Sequence, residues 1–228
     1  MPTLLLRLQG PMQSWGTASR FDRRHTDTEP SKSGVIGLLC AALGRDRAQP
    51  VDDLASLRMG VRVDREPAAI KYDYQTAKDV AKASGQGKFD TVQSWRYYLA
   101  DAAFLVGMES SEAALLQALQ EALRNPAWPL YLGRKGYLPS PPVWLPDGLV
   151  QAPLEEALAR YPCLVDNPPD RYRYALEELP GAVPASLSFA NRVRRLDQPL
   201  GPLGKRQFGE RYIWIVVARA GEVPRVPL

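Results

Sequence analysis

Basic and hydroxyl side chains precede an apolar helix within residues 3–37, and this stretch offers the clearest chemistry in the sequence. Residues 30–34 read Pro-Ser-Lys-Ser-Gly and lead directly into the apolar run. The first-turn amides of a helix lack intrahelical partners and lie at the positive end of its dipole, so they attract anions. We therefore expect Lys32, Ser33 and Gly34 to bind a phosphate group.

A lysine followed by a serine also ends the Walker P-loop, the phosphate-binding loop of many nucleoside triphosphatases. That motif requires glycine at positions 31 and 26, and this chain has Ser31 and Thr26 there. The sequence therefore excludes a nucleoside triphosphatase of this type.

The sole histidine, His25, is the candidate for a general base. Metal-free RNA cleavage needs a positioned proton acceptor and donor, and histidine is the usual choice near neutral pH. His25 lies in a polar loop beside Arg23 and Arg24. Cleavage of RNA through His25 is kept as an alternative hypothesis.

Aromatic and basic side chains alternate in two further segments. Tyr74, Trp95, Tyr97 and Tyr98 lie on a predicted hairpin, where their rings can stack on unpaired bases or pack against the base of the hairpin. Strand alternation places Trp95 and Tyr97 on one side, with Arg96 and Tyr98 on the other.

Two basic groups follow later in the chain. Arg134 and Lys135 come directly after Gly133 at the end of an apolar run, which suits a phosphate contact or a solvated surface. The cluster of Arg192, Arg194 and Arg195 suits a solvated or protein-contacting face as well as RNA.

The first strand and the first helix are predicted to position these side chains. In residues 3–9, Leu4, Leu6 and Leu8 share one face, the pattern of a half-buried strand, and Pro11 stops the strand soon afterwards. The helix over residues 35–43 has Ser31 or Ser33 as its N-cap and Gly44 as its C-terminal stop.

The order of predicted elements gives the fold class. Residues 3–132 read β-α-β-β-α-β, with a last strand near 129–132, which predicts an α+β protein with a ferredoxin-like domain over residues 1–140. A long β-hairpin (thumb), about 67–98, projects from this domain, with a mobile hairpin tip or loop at 77–90. Residues 141–228 are rich in proline and form a smaller, loop-rich and mainly β accessory region.

Composition sets outer limits on function. The net charge of +4 is too small to argue for nucleic acid by itself, although six basic residues against two acidic ones lie between Arg192 and Arg211. No apolar run is long enough for a membrane helix, and no signal peptide is evident, so we expect a cytoplasmic protein without membrane association. Cys40 and Cys163 lack metal-type spacing, so we expect no metal site and no cofactor.

Several motifs in order resemble the type I-E branch of the Cas-five family of CRISPR-associated proteins. They are Gly-Pro-Met-Gln-Ser-Trp-Gly at 10–16, Pro-Ser-Lys-Ser-Gly-Val-Ile-Gly-Leu-Leu at 30–39, Asp-Tyr-Gln-Thr at 73–76, and the segments 91–104 and 129–135. The match is looser after Trp144.

The resemblance implies a non-catalytic subunit of Cascade, the RNA-guided surveillance complex. Such a subunit grips the 5′ handle of the CRISPR RNA (crRNA) and caps the CasC backbone filament beside the large subunit CasA, meeting target DNA only through the assembled complex. Motifs and chemistry together predict no catalytic residue and the following RNA-binding residues: Gln13, Ser14, Trp15, Arg24, Lys32, Ser33, Gly34, Tyr74, Gln75, Lys88, Arg96, Arg134 and Lys135.

Two alternatives stay open at this point. Some type I-C relatives process RNA with a histidine next to a lysine, whereas here Lys135 is followed by Gly136, and the glycine-rich C-terminal loop of processing enzymes is not evident. A metal-independent endoribonuclease is therefore the first alternative. The second is a structural adaptor whose basic patches meet acidic protein surfaces.

Overall fold

The computed structural model describes residues 1–17, 22–179 and 192–225. Its helices are α1 (Lys32–Leu43), α2 (Asp52–Ala55), α3 (Ala113–Arg124) and α4 (Leu154–Arg160), with a short 3-10 helix at Leu203–Lys205. Its strands are β1 (Thr3–Gln9), β2 (Met12–Gln13), β3 (Arg23–Arg24), β4 (Arg58–Arg65), β5 (Ala69–Ala81), β6 (Lys88–Ala100), β7 (Ala103–Glu109), β8 (Leu149–Val150), β9 (Arg171–Glu177), β10 (Arg192–Pro199) and β11 (Phe208–Arg219). Within these ranges, no helix combines the length and apolar content that a membrane crossing needs.

Seven strands form one antiparallel sheet in the order β10-β11-β9-β4-β7-β1-β8. The predicted α+β class is confirmed, as are the strand at 3–9 and the helix that Gly44 ends in a left-handed conformation with φ of 67°. The last three strands join this sheet beside β4, so the sheet runs across the boundary predicted at 140/141, and that boundary stays a prediction.

The strand predicted at 129–132 is wrong. This segment turns back on itself: the Leu132 amide donates to the Tyr137 carbonyl at 2.7 Å, and the Tyr137 amide donates to the Arg134 carbonyl at 2.8 Å. Gly133 sits in this turn with φ of 88°. The place beside β1 is taken instead by β8, which pairs with Thr3 and Leu4.

Helices cover both faces of the sheet. The leucines at positions 4, 6 and 8 join the larger core with α1 and α3, as the alternation predicts. Leu5 is also fully buried, because α4 packs Leu154 and Leu158 on the opposite face, so the prediction of a half-buried strand is wrong there. Gly107 permits this approach, since a Cβ there would lie 2.6 Å from Leu154 Cδ1.

A long hairpin connects β4 to β7 and belongs to a second, smaller sheet. Strands β5 and β6 are 13 residues each and pair from Ala69↔Ala100 to Ala81↔Lys88. The segment 77–90, predicted as a hairpin tip or a loop, forms the end of the hairpin. It is mostly strand, with residues 82–87 as the turn, because cross-strand hydrogen bonds order a segment that packs against little else. Strands β2 and β3 pair with β6 near its base, β3 in parallel register.

Candidate nucleic-acid interface

The start of α1 is already occupied by the protein's own carboxylates. The Lys32 amide donates to Asp197 Oδ2 at 2.7 Å, and Lys32 Nζ lies 2.7 Å from Glu177 Oε1. Lys32 is only 2% exposed. Burial lowers its pKa, although the neighbouring Glu177 opposes that change. The charge and the amide of Lys32 therefore both have internal acidic partners, and its contact with phosphate stays a prediction.

The other predicted residues of this helix turn are only partly exposed. Gly34 lies under the ring of Trp15, and a Cβ at position 34 would be 2.9 Å from Trp15 Cε3. Ser33 is half-buried. A role for Ser33 and Gly34 in binding RNA stays a prediction.

The residues that follow β1 fasten the base of the hairpin. Gln13 Nε2 donates to the carbonyls of Leu8 and Ala102 at 3.1 and 2.8 Å, and Gln13 Oε1 accepts from Trp15 Nε1 at 3.1 Å. Ser14 Oγ donates to the Tyr97 carbonyl at 3.1 Å.

The motif at 10–16 therefore supports the interface rather than forming its surface. Gln13, Ser14 and Trp15 are 0%, 6% and 1% exposed, so the structure gives these three side chains a packing role, and their contact with RNA stays a prediction. Their side-chain polar groups form hydrogen bonds with backbone carbonyls and with each other.

One side of the hairpin base carries aromatic rings, which we call the aromatic face. Tyr74 pairs across the strands with Trp95, at 5.4 Å between ring centroids, and Tyr72 pairs with Tyr97, at 5.6 Å. His25 stacks on Tyr97 at 5.0 Å and 21°. Tyr72 and Tyr74 are each about half exposed, at 56% and 51%. The predicted sharing of one side by Trp95 and Tyr97 is confirmed.

The opposite side of the hairpin base carries three arginines, Arg24, Arg96 and Arg134, which we call the arginine triad. The parallel pairing of β3 with β6 places Arg24 beside Arg96. The turn after Leu132 brings in Arg134, whose Nη2 donates to the Arg24 carbonyl at 3.2 Å and whose Nη1 donates to Tyr137 Oη at 3.0 Å.

The triad concentrates positive charge. Burial, followed by the charges of Arg96 and Arg134, lowers the pKa of Arg24 below its usual range. The nearest acid in this network is Asp73, which accepts a hydrogen bond from Tyr137 Oη at 3.3 Å. Among the described residues, no ion pair includes a member of the triad. An external anion is therefore the natural partner for these three side chains.

The remaining predicted residues lie around or away from this centre. Gln75 and Lys135 are exposed beside Tyr74 and Arg134 respectively. Lys88 is exposed at the far end of β6, eight residues from Arg96, or roughly 26 Å along an extended strand. The structure thus brings together most of the predicted cationic and aromatic residues and separates Lys88 from them.

Three residues of this interface were not predicted from the sequence. The Arg23 guanidinium lies 5.9 Å from the Trp95 ring, Tyr72 extends the aromatic face, and Tyr137 supports the triad. Tyr72 has the same strand parity as Tyr74, so alternation could have identified it. The position of Tyr137 follows from the turn that replaces the predicted strand.

The basic cluster near the C-terminus is neutralised by internal acids. Arg192 pairs with Glu178 at 2.7 Å, Arg194 with Glu210 at 3.1 Å and Arg211 with Asp197 at 2.7 Å, while Arg195 pairs with Glu29. The local charge excess seen in the sequence is therefore mostly compensated. The described parts of the chain hold no group of three His, Cys, Asp or Glu side chains placed for a metal ion.

Comparison with known proteins gives consistent similarities over nearly the whole chain. The family model for CRISPR-associated protein (Cas_Cas5) matches residues 3–213. The CRISPR system Cascade subunit CasD of Escherichia coli (strain K12) is 32% identical over 227 residues, covering 94% of this chain and 95% of that protein.

Two solved structures of CRISPR-associated proteins are also similar to this chain. The crystal structure of a Cas protein is 50% identical with a TM-score of 0.77, covering 99% of this chain and 100% of that one. A chain of a CRISPR RNA-guided surveillance complex is 30% identical with a TM-score of 0.74, covering 97% and 91%. With a family model that spans most of its length and relatives at 30% identity and above, this chain belongs to the Cas5 family of CRISPR-associated proteins.

Proposed function

We propose that this chain is a non-catalytic, RNA-binding subunit of a Cascade surveillance complex, that it holds the 5′ handle of the crRNA, and that it caps one end of the backbone filament. The similarity to CasD and to a chain of an RNA-guided surveillance complex supports membership of such a complex. Binding of the 5′ handle and capping of the filament are more specific roles, which we propose in addition to membership of the complex.

The observation that carries the RNA-binding role is the arginine triad. Three guanidinium groups converge without an acidic partner among the described residues, and the opposite side of the same hairpin displays exposed tyrosines. Phosphate contacts and base stacking are the two interactions that single-stranded RNA offers most readily. Side chains suited to both interactions lie at the base of the hairpin.

The proposal also assigns roles to the parts of the fold. The order β4-β7-β1-β8 within the large sheet is compatible with a ferredoxin-like unit that also contains α1 and α3. The hairpin of β5 and β6 serves as its thumb, and its outer half has exposed side chains on both faces, which leaves it available to RNA or to neighbouring subunits. We assign those neighbours to the CasC-type backbone and the CasA-type large subunit.

Two experiments test the proposal. The complex is purified through a tag on this subunit, and the RNA that accompanies it is sequenced. The expected result is a defined guide RNA, and its loss when Arg24, Arg96 and Arg134 are all replaced by glutamine. A complex that retains full RNA occupancy with this triple variant would contradict the binding site.

The second experiment separates binding from cleavage. Purified protein is incubated with repeat RNA, with and without magnesium, and the RNA is expected to remain intact. Cleavage at a single phosphodiester that is lost in His25→Ala or Lys135→Ala would instead establish the endoribonuclease. Assembly of the complex without any contact between this subunit and RNA, measured by crosslinking, would establish the structural adaptor.

A further inference from the structure

An acidic side chain is buried in the loop that joins the RNA-facing strand β3 to helix α1. Glu29 follows Arg24 by five residues and is 4% exposed. Its carboxylate accepts hydrogen bonds from Arg173 Nη1 of β9 at 3.0 Å, from Thr28 Oγ1 at 2.7 Å and from Arg195 Nη2 of β10. Two strands of the C-terminal region therefore hold one residue of the N-terminal loop.

The rest of this loop is attached to the N-terminal region. The Trp15 amide donates to Thr26 Oγ1 at 2.8 Å, and the Asp27 amide donates to the Trp15 carbonyl at 3.2 Å. At the other end of β3, the Trp95 amide donates to the Asp22 carbonyl at 2.8 Å. Glu29 is thus the point at which this loop is joined to β9 and β10 by ion pairs.

The groups around Glu29 stabilise the charged form of its carboxylate. Burial by itself would raise the pKa of Glu29, but the hydrogen bond from Thr28 and the charges of Arg195 and Arg173 outweigh it and lower that pKa. Arg173 also pairs with Glu66 at 2.8 Å, so it keeps an acidic partner if Glu29 is neutralised. Arg195 has no second ion pair among the described residues, so it would lose its only one.

We propose that Glu29 is a positioning residue for RNA binding: clamped between Arg173 and Arg195, it holds the loop so that Arg23 and Arg24 on β3 face the RNA. This inference rests on the proposed RNA-binding function. It assigns Arg195 to an internal clamp, so the C-terminal strands influence RNA binding through Glu29 and need no contact with RNA themselves.

The test compares Glu29→Gln with Asp64→Asn. Asp64 is an equally buried carboxylate that pairs with Arg62 on the α4 side of the sheet, so its replacement controls for the loss of a buried ion pair. Each variant is titrated with a fluorescent oligonucleotide that carries the 5′-terminal segment of the copurified guide RNA, at several salt concentrations. Hydrogen exchange of peptides within residues 22–31 is measured without RNA.

The expected result is specific to Glu29. Each lost phosphate contact with single-stranded RNA lowers the slope of log affinity against log salt by about 0.7. Glu29→Gln should show this lower slope and faster exchange in residues 22–31, whereas Asp64→Asn should keep the wild-type slope and exchange in that loop. Arg195→Lys, which keeps a cation beside Glu29, should keep the wild-type slope.

Two outcomes would overturn the inference. An unchanged rate of hydrogen exchange in residues 22–31 of folded Glu29→Gln would show that no clamp holds the loop, whether or not RNA affinity changes. Equal changes of slope in Glu29→Gln and Asp64→Asn would show only a general loss of stability. If the wild-type protein binds no RNA, the proposed function fails, and hydrogen exchange still decides whether the clamp exists.

Discussion

Replacing Arg24 by glutamine should weaken RNA binding without destabilising the free protein. The Arg24 side chain lies in the field of Arg96 and Arg134, and after burial their charges are the main causes of its lowered pKa. Only the backbone carbonyl of Arg24 supports Arg134, and that carbonyl is kept in the variant. Removing one of three like charges relieves repulsion, so the melting temperature should stay the same or rise.

The magnitude of the effect follows from one lost charge-assisted contact. A hydrogen bond to a charged group contributes about 1.5–3 kcal/mol. This corresponds to an affinity loss of about 10- to 150-fold. Loss of one phosphate contact should also lower the salt slope by about 0.7. A double or triple replacement within the triad should lower the slope in further steps of similar size.

The assay is a fluorescence titration of the 5′-terminal segment of the guide RNA at several salt concentrations between about 50 and 200 mM, over which the affinity of phosphate-contacting proteins changes strongly. The control is Arg160→Gln. Arg160 lies on α4 with 72% of its side chain exposed, so its replacement changes the net charge equally at a site away from the hairpin. Thermal melts of both variants accompany the titrations.

Two results would refute the reasoning. Equal losses of affinity in Arg24→Gln and Arg160→Gln would mean that overall charge governs binding and that the triad has no special role. A clear drop in the melting temperature of Arg24→Gln would mean that the triad stabilises the fold and is not an unsatisfied anion site.

Three further outcomes are expected. Trp95→Ala should reduce RNA affinity by about 1–3 kcal/mol without changing the salt slope, as titration will show, because stacking involves no phosphate. Asp197→Asn should lower the unfolding free energy in a denaturant titration by up to about 3–5 kcal/mol, since it breaks the 2.7 Å ion pair of the buried Arg211 and leaves that guanidinium the longer pair with Glu177 at 3.8 Å. The wild-type protein should be more stable than Glu29→Gln, and this difference should be complete above the ordinary glutamate pKa of 4.5. It should disappear as the pH falls through the lowered pKa of Glu29 in the folded state. Thermal melts at several pH values will measure the difference.

Local patterns in the sequence predicted most elements of the fold. Alternation in residues 3–9 identified β1, and the apolar run that ends at Gly44 identified α1. The two sides of β6 were also predictable, because successive side chains of a strand point to opposite faces. The position of the hairpin was predicted, but the length of its two strands was underestimated, since polar residues with few apolar neighbours are typical of a loop unless a paired strand orders them.

The candidate site was only partly predictable. Arg24, Arg96 and Arg134 were identified as separate cations, but their meeting depends on the parallel pairing of β3 with β6 and on the turn after Leu132. That turn replaces a predicted strand and could not be derived from the apolar run alone. The members of the triad were therefore predictable from the sequence, whereas their arrangement was not.

The start of α1 shows most clearly the difference between what the sequence determines locally and what the tertiary structure decides. The sequence by itself determined the helix, its beginning near Ser31 and the presence of Lys32 beside the first-turn amides, because these depend on neighbouring residues. The tertiary structure decided what those groups bind: Asp197 and Glu177 lie 165 and 145 positions further along the chain and reach Lys32 only after β9, β10 and β11 join the sheet. A local pattern reports the donors that a segment offers, whereas the acceptor that satisfies them is selected by packing between distant segments.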